Sequence, residues 1–269
     1  MIDTMTNSDL LRVAVDAALS AGAILRDGFG SAVAARSKEG RHNLVTEYDV
    51  RSEDLILSTL RAATPEARFL AEESGASGDA TSTSDLVWVV DPLDGTVNFA
   101  HGIPIFCVSI AAVRNNTIVC GVIHHPLLGE TFTATLGDGA YLNGNRLHVS
   151  GTEHLADAIL VTGFPYNVHE NPGGCLDQFR SIVGRGLPVR RLGSAALDLA
   201  YTAAGRFDAF WEVSLHAWDM AAGVLLVTEA GGRVSHYANR PFRLGHDSIV
   251  ASNGHIHDAL TDALGEHTT

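Results

Sequence analysis

The 269-residue chain has little cysteine, few basic residues and no long hydrophobic run. Cys107, Cys120 and Cys175 form no closely spaced pair, which excludes a disulfide framework and points to a reducing compartment. Lys and Arg number 18 against 31 Asp and Glu, a net charge of −13. That balance argues against non-specific nucleic-acid binding, which needs a basic face. No apolar stretch approaches the roughly 18 residues of a membrane span. Met1-Ile2-Asp3-Thr4 shows no basic-then-apolar signal pattern, so a cytoplasmic location is expected. Internal repeats and Pro- or Ser-rich linkers are also missing. What is present is apolar content, 46%, with 18% charged residues, enough for a sizeable core in one large domain or two small ones sharing an interface.

Helical spacing runs from Ser8, a candidate N-cap, to about Phe29, through Leu10, Leu11, Ala14, Ala17, Ala18, Ala21, Ile24 and Leu25. A polar loop, Lys38-Glu39-Gly40-Arg41-His42, precedes a second helix that starts near Asp49 and ends at Thr64-Pro65. Arg68 to Ala71 reads as a short strand delivering Glu72-Glu73-Ser74, and Leu86 to Val90 as a buried strand. Ile105–Val113 and Thr117–His124 flank Asn115-Asn116, a hairpin turn because asparagine tolerates positive φ. Glu130–Leu136 continues the meander. Residues 1–150 therefore predict two helices on a largely antiparallel sheet. Strands and helices then alternate over 151–269, the pattern of an α/β layer with a mixed sheet. Two subdomains on one continuous core are expected.

The chemistry concentrates in Trp88-Val89-Val90-Asp91-Pro92-Leu93-Asp94-Gly95-Thr96-Val97-Asn98-Phe99. A buried strand breaks at a proline with a carboxylate on either side, and a helix can start after it. Asp91, Asp94 and the carbonyl of Leu93 are oxygen ligands suited to a hard divalent cation. The N–H groups of Gly95 and Thr96 would point out of a helix start, where a phosphate is favoured. As an isolated peptide the stretch reads equally well as a plain turn. Glu72, Glu73, Asp49 and Asp219 also sit where regular elements end, although helix starts favour aspartate for capping alone. Two carboxylates about 4 Å apart repel by about 4 kcal/mol at an effective dielectric of 20. A gathered set therefore points to a bound cation, and all-oxygen ligands point to Mg²⁺.

These segments resemble the inositol monophosphatases. One family signature is similar to Asp91-Pro92-Leu93-Asp94-Gly95-Thr96-Val97-Asn98-Phe99, continuing through His101-Gly102-Ile103-Pro104. A second is similar to Trp218-Asp219-Met220-Ala221-Ala222-Gly223, followed by Glu229-Ala230-Gly231-Gly232. Asn43-Leu44-Val45-Thr46-Glu47-Tyr48-Asp49 and Glu72-Glu73-Ser74 match two further segments in the family's order. The resemblance implies a sugar-phosphatase-like fold, a layered αβαβα sandwich of α+β and α/β parts. It implies a lithium-sensitive phosphomonoester hydrolase using two to three Mg²⁺ ions. Glu72, Asp91 and the Leu93 carbonyl would hold the first ion, and Asp91, Asp94 and Asp219 the second, with Glu72 helping a third. Asp49 and Thr96 would orient and deprotonate the attacking water. Asp94, Gly95, Thr96, Gly193, Ser194, Ala195, Glu212 and Asp219 would meet the substrate, and Lys38 would lie on a loop covering the site. Asn43 stands where many members have aspartate and Ser194 where many have threonine. A homodimer is also implied.

The resemblance favours inositol monophosphate as substrate. Fructose 1,6-bisphosphate, histidinol phosphate and nucleotide 3′-phosphates are the alternatives, and Arg190, Arg191 and Arg206 are candidates for a second phosphate. The competing class is a regulatory binding protein that keeps the fold. Thirteen histidines raise the question of zinc, but His124-His125 and His255-Ile256-His257 lack Cys or Glu partners at metal spacing. Cys107 reads as a core residue.

Overall fold

The computed structural model describes residues 5–31, 36–37, 44–78, 85–246 and 248–265. Seven α-helices span Asn7–Gly28 (α1), Glu47–Ala63 (α2), Thr96–Ala100 (α3), Cys175–Gly184 (α4), Ala195–Ala203 (α5), Ala217–Glu229 (α6) and His257–Gly265 (α7) among the described residues. The first helix starts two residues earlier than a Ser8 cap would place it, because Thr6 and not Ser8 is the cap. Asp9 N–H donates to Thr6 Oγ1 while Asp9 Oδ2 accepts from the Thr6 N–H, a reciprocal capping box. Leu10, Val13, Ala14, Ala17, Ala18, Ala21 and Leu25 form its buried stripe, and the alanines allow close approach.

The larger sheet has eight strands, ordered Asn145–Arg146, Gly139–Leu142, Glu130–Thr135, Thr117–His125, Cys107–Arg114, Leu86–Asp94, Arg68–Ala71 and Gly75–Ser77. Each neighbouring pair is antiparallel except Arg68–Ala71 with Leu86–Asp94. Asn115 and Asn116 take φ of 51° and 61°, the positive values expected of that hairpin. A six-stranded mixed sheet follows, ordered Val189–Arg190, Leu160–Thr162, Ala209–Val213, Ser248–Ser252, Arg233–His236 and Arg240–Pro241.

Burial separates the layers. Trp88 and Val90 join a core with α1 and α2, while Val89 faces the opposite way into a core with α5 and α6. A strand buried on both faces is apolar at every position, which explains the run Leu86 to Val90. The α5–α6 layer also meets Val161, Phe210, Ile249 and Ala251 of the second sheet. That sheet's other face, with Leu160, Trp211 and Val250, packs on Ile182 of α4 and Leu260 and Leu264 of α7. The architecture is thus a five-layer αβαβα sandwich whose middle helices are shared by both sheets.

The strand Leu86–Asp94 continues past Pro92, where the sequence suggests a break. Asp91 pairs with Ser109 and Asp94 with Cys107, so three steps on one strand match two on its neighbour. This is a β-bulge at a residue with no N–H to offer the ladder. Ser109 and Cys107 share a face, and residues opposite them across the ladder share it too. In a regular strand Asp91 and Asp94 would point to opposite sides. The bulge turns both carboxylates toward the α5–α6 layer.

Close contact holds that layer to the sheet. A Cβ added to Gly121 would lie 2.9 Å from the Ala222 Cα of α6. Gly121→Ala is therefore expected to lose about 1–3 kcal/mol of stability, read from urea unfolding. A loss below about 0.5 kcal/mol would show that α6 yields without strain.

Candidate active site

Asp91 starts the site. Its Oδ1 accepts the Leu93 N–H at 3.0 Å, closing a turn over Pro92. Ser52 of α2 donates its hydroxyl to the Pro92 carbonyl at 2.9 Å, fixing the bulge from behind. Next to it, Glu72 follows the parallel strand Arg68–Ala71, and its N–H donates to Val90 O. The adjoining Glu73 and Ser74 N–H groups both donate to the buried carboxylate of Glu53, each at 2.9 Å. Glu72 stands beside Asp91 and helps to push its carboxyl above the ordinary range.

Asp94 reaches into the second half of the chain. Its Oδ2 accepts from Ser194 Oγ at 2.6 Å and from the Ala196 N–H at 2.7 Å. A carboxylate on the first sheet therefore caps the N-terminus of α5. Asn98 makes a parallel tie, donating through Nδ2 to Ile105 O and Leu192 O at 2.8 and 2.9 Å. Gly95 takes φ of 99°, and a Cβ there would meet Ile105 O at 2.9 Å, so glycine is required on both counts.

Asp49 and Asp219 occupy the same position, N3, in α2 and α6. Asp49 Oδ2 accepts from the Thr46 N–H at 2.8 Å and from Thr46 Oγ1 at 2.5 Å. Its Oδ1 faces the site and accepts from Thr96 Oγ1 at 2.9 Å. The Leu93 carbonyl lies 3.0 Å from the same hydroxyl. One proton cannot fully serve both acceptors, and the carboxylate is the stronger. Asp219 Oδ2 accepts the His216 N–H at 2.6 Å.

The acids raise one another's pKa. Burial pushes Asp91 well above the carboxylate range, and the charges of Glu72, Asp94 and Asp219 add to it. Asp219 is raised by burial first and then by Asp94. Asp94 rises to about 6 through burial, with the Ser194 and Ala196 hydrogen bonds pulling it back. Glu212 rises to about 8 through burial and the charge of Asp94, while Arg191 opposes the rise. Asp49 is raised by burial against the Thr46 and Thr96 hydrogen bonds.

Glu72, Asp91, Asp94, Asp219, Thr96 and Asp49 are thus brought to one region, with Leu93 and Gly95 between them. Ser194 and Ala195 stand at the start of α5, and Gly193, at φ of 87°, packs beside Asn98. Glu212 lies on the second sheet, its carboxyl group filling the space a side chain at Gly163 would take. Lys38 and Asn43 lie outside the described residues. Among the described residues no three His, Cys, Asp or Glu side chains already surround a single point at ligand distance. The donor chemistry nonetheless fits a hard cation. These carboxyls are all oxygen and mutually repelling, and Asp49, Asp91, Asp94 and Asp219 are raised in pKa, so the group needs protons or positive charge within it.

Arg206 does not join the site. Its guanidinium pairs with Glu130 and lies over the Tyr201 ring. Cys107 is buried, as a core residue would be, but its Sγ stands 3.6 Å from Ser194 Oγ and 3.9 Å from Asp94 Oδ2, behind the site. Sequence reasoning named Asn98 only within the signature stretch, without its tie to Leu192, and missed Ser52, Glu53, Gly163 and Asp198. Asp198 is 1% exposed on α5, and neither of its oxygens has a partner among the described residues. For α2 a signal existed. The apolar stripe Ile56, Leu57 and Leu60 continues upstream on the same helical face as Asp49, Ser52 and Glu53. Polar residues at core positions of an amphipathic helix mark a site.

Raised acids give a pH dependence. Unfolded Glu212 ionises near its ordinary 4.5, but in the fold it keeps its proton to about 8. The folded chain then binds more protons, so stability falls as pH rises through that window. His124, His125 and His257 are pushed below 6.5 by burial and give the opposite slope under that value. Chelated protein is therefore expected to melt lower at about pH 8.5 than at about pH 7, with added Mg²⁺ raising the melting temperature more at the higher pH. An equal Mg²⁺ effect at both values would disconnect these acids from the cation.

Similarity to known proteins covers the whole arrangement. The profile of the Inositol monophosphatase family matches residues 6–269. The chain is 45% identical over 261 residues to an inositol-1-monophosphatase of Mesorhizobium japonicum, covering 97% of each. It is 44% identical over 262 residues to the Nus factor SuhB of Pseudomonas aeruginosa, covering 96% of each. Among solved structures, the extragenic suppressor protein suhB of Bartonella henselae superposes with a TM-score of 0.90 at 41% identity, covering 96% of this chain and 99% of that one. Inositol monophosphatase from Anabaena gives 0.85 at 40% identity, covering 96% and 95%. With its bulged strand and converging acids framed by the same fold, the chain belongs to the inositol monophosphatase family and is a phosphomonoesterase.

Proposed function

We propose that the enzyme is a Mg²⁺-dependent, lithium-sensitive inositol-1-monophosphatase in which Thr96 and Asp49 prepare the attacking water. The observation that carries this reading is the Thr96 Oγ1 to Asp49 Oδ1 hydrogen bond, 2.9 Å long, set beside acids that raise one another's pKa. Glu72, Asp91, the Leu93 carbonyl, Asp94 and Asp219 would hold two to three cations. When bound, these cations supply the positive charge that activates water and stabilises the leaving oxygen.

The chain's own groups do the rest. Thr96 Oγ1 donates to Asp49 and keeps lone pairs free to accept from water. As water attacks phosphorus its proton passes to Thr96 Oγ1, and the Thr96 proton passes to Asp49 Oδ1. Burial makes Asp49 more basic than an ordinary aspartate, which suits this task. The paired Thr46 bonds on Oδ2 keep the other oxygen turned to the site. The N–H groups of Gly95 and Thr96 would meet phosphoryl oxygens, although α3 has only five residues and adds little dipole of its own. Gly193, Ser194, Ala195 and Glu212 would meet polyol hydroxyls.

The same reading takes the enzyme as a cytoplasmic homodimer. Tyr166, Leu176 and Val183 are exposed apolar residues, and Leu176 and Val183 share a face of α4, consistent with a covered surface. Similarity to proteins named Nus factor SuhB supports a second role, binding a regulatory partner alongside catalysis.

A substrate panel tests the reading. Inositol 1-phosphate should show a higher kcat/KM than fructose 1,6-bisphosphate, histidinol phosphate or a nucleotide 3′-phosphate. Activity should vanish on chelation, return with Mg²⁺ and fall with Li⁺. Full turnover after exhaustive chelation would rule out the metal assignment, and preference for another phosphate would change the substrate.

Thr96→Ala separates water activation from cation binding. It keeps the backbone N–H and every carboxylate, so KM and Mg²⁺ affinity should hold while kcat falls by about 10² or more. Asp49→Asn should fall similarly, and the double variant little further, because groups acting as a unit are not additive. Additive losses would mean that Thr96 and Asp49 act separately.

A further inference from the structure

Gly163 stands one step beyond the strand Leu160–Thr162, which runs parallel to Ala209–Val213. Leu160, Val161 and Thr162 pair with Ala209, Phe210 and Trp211, so continuing the register sets Gly163 beside Glu212. Thr162 Oγ1 donates to Trp211 O at 2.6 Å, which pins the strand end there. Val161 and Phe210 both face the α5–α6 layer. Two residues on, Gly163 and Glu212 share that face, because side chains alternate with period two. A glycine next to a glutamate leaves a side chain's volume empty, and the Glu212 carboxyl fills it. A Cβ on Gly163 would lie well inside 3.0 Å of Glu212 Oε2, Cδ and Oε1, the three heavy atoms nearest to it.

Backbone conformation does not explain this glycine. Its φ lies outside the left-handed region, so an L-residue could take its backbone without strain. The requirement comes from the carboxyl alone. Among the described residues no group donates a hydrogen bond to that carboxyl. Unlike the sealed oxygens of Asp198, Glu212 keeps contact with solvent, 9% of its surface being exposed. Unheld by any donor, the carboxyl lies where the neighbouring volume allows it. Asp94 is near enough for its charge to reach Glu212, which puts this place next to the gathered acids.

We propose that Gly163 is a positioning residue that sets substrate preference: having no side chain, it lets the Glu212 carboxyl lie across the strand end, where it exchanges hydrogen bonds with polyol hydroxyls. This role rests on the reading of Glu212 as a polyol contact. Gly163 itself meets neither phosphate nor cation and acts only through where the carboxyl lies. A larger residue turns the carboxyl away. The displaced atoms are the far end of a flexible side chain, so a change of Glu212 rotamer relieves the overlap and the strand need not move.

Steady-state kinetics of Gly163→Ala, Glu212→Ala and the double variant on inositol 1-phosphate test this, with inorganic phosphate as a competitive inhibitor. Gly163→Ala should fold and raise KM at least about tenfold, the size of one hydrogen bond to a carboxyl group. Its kcat should stay within about twofold, because the lost contact is made in ground state and transition state alike. The inhibition constant of inorganic phosphate should not change. Glu212→Ala should raise KM by a similar factor, and in that background Gly163→Ala should add nothing, since no carboxyl remains to displace. An unchanged KM in Glu212→Ala would take Glu212 away from the polyol and overturn both readings. If Glu212→Ala raises KM, the positioning role alone is overturned by an unchanged KM, a loss of kcat or unfolding in Gly163→Ala, or by additive losses in the double variant.

Discussion

A proline in the middle of a ladder sets the geometry on which the site depends. Pro92 offers no N–H, and the strand Leu86–Asp94 answers with an extra residue between its pairings to Ser109 and Cys107. Side chains alternate along a strand with period two, so a spacing of three would separate Asp91 from Asp94 by the thickness of the sheet. The bulge cancels that separation. From the same face Asp94 then reaches Ser194 and the Ala196 N–H, joining the first sheet to the helix layer that carries the second. Fold and candidate site are thus coupled through one carboxylate, which caps a helix N-terminus while standing among the gathered acids.

Two further acids divide their oxygens in a similar way. Asp49 gives Oδ2 to Thr46 at the start of α2 and turns Oδ1 to Thr96, and Asp219 gives Oδ2 to the His216 N–H at the start of α6. Capping and function are therefore not rival readings of these residues. The cap immobilises one oxygen and so fixes the direction of the other without further ordering. Glu53 extends the principle one step outward. It touches nothing in the reaction centre but receives the N–H groups that follow Glu72, fixing the turn on which Glu72 stands.

Much of this was legible from residues alone because local chemistry and tertiary position agreed. The Asn115-Asn116 turn, the apolar run Leu86 to Val90 and the alternation after residue 150 each follow from short-range rules that the fold keeps. The failures have a common cause. Ser8 loses to Thr6 because a capping box needs an acid three residues on, and Asp9 supplies it for Thr6. Pro92 ends no strand because Ser52 and the Asp91 carboxylate take up the backbone groups that the bulge displaces. Asn98, Gly163 and Glu53 act across sequence separations that periodicity does not register. Arg206, a candidate for phosphate, is held instead by Glu130, a partner 76 positions away that no local pattern announces.

The sandwiching of α5 and α6 between two sheets has a consequence for how the molecule opens. α5 is buried along nearly its whole length and α6 over Met220–Val227, with Gly121 bringing the backbone of α6 against the first sheet and Phe210 and Ile249 closing from the second. Such amides have no route to solvent through fraying or the loss of one outer layer. Their hydrogen exchange belongs to global unfolding, while the outer helices α1, α4 and α7 can lift in smaller openings. Asp94 and Ser194 are anchored at the start of α5 and Asp219 in the first turn of α6, so the candidate site is tied to the layer that opens last.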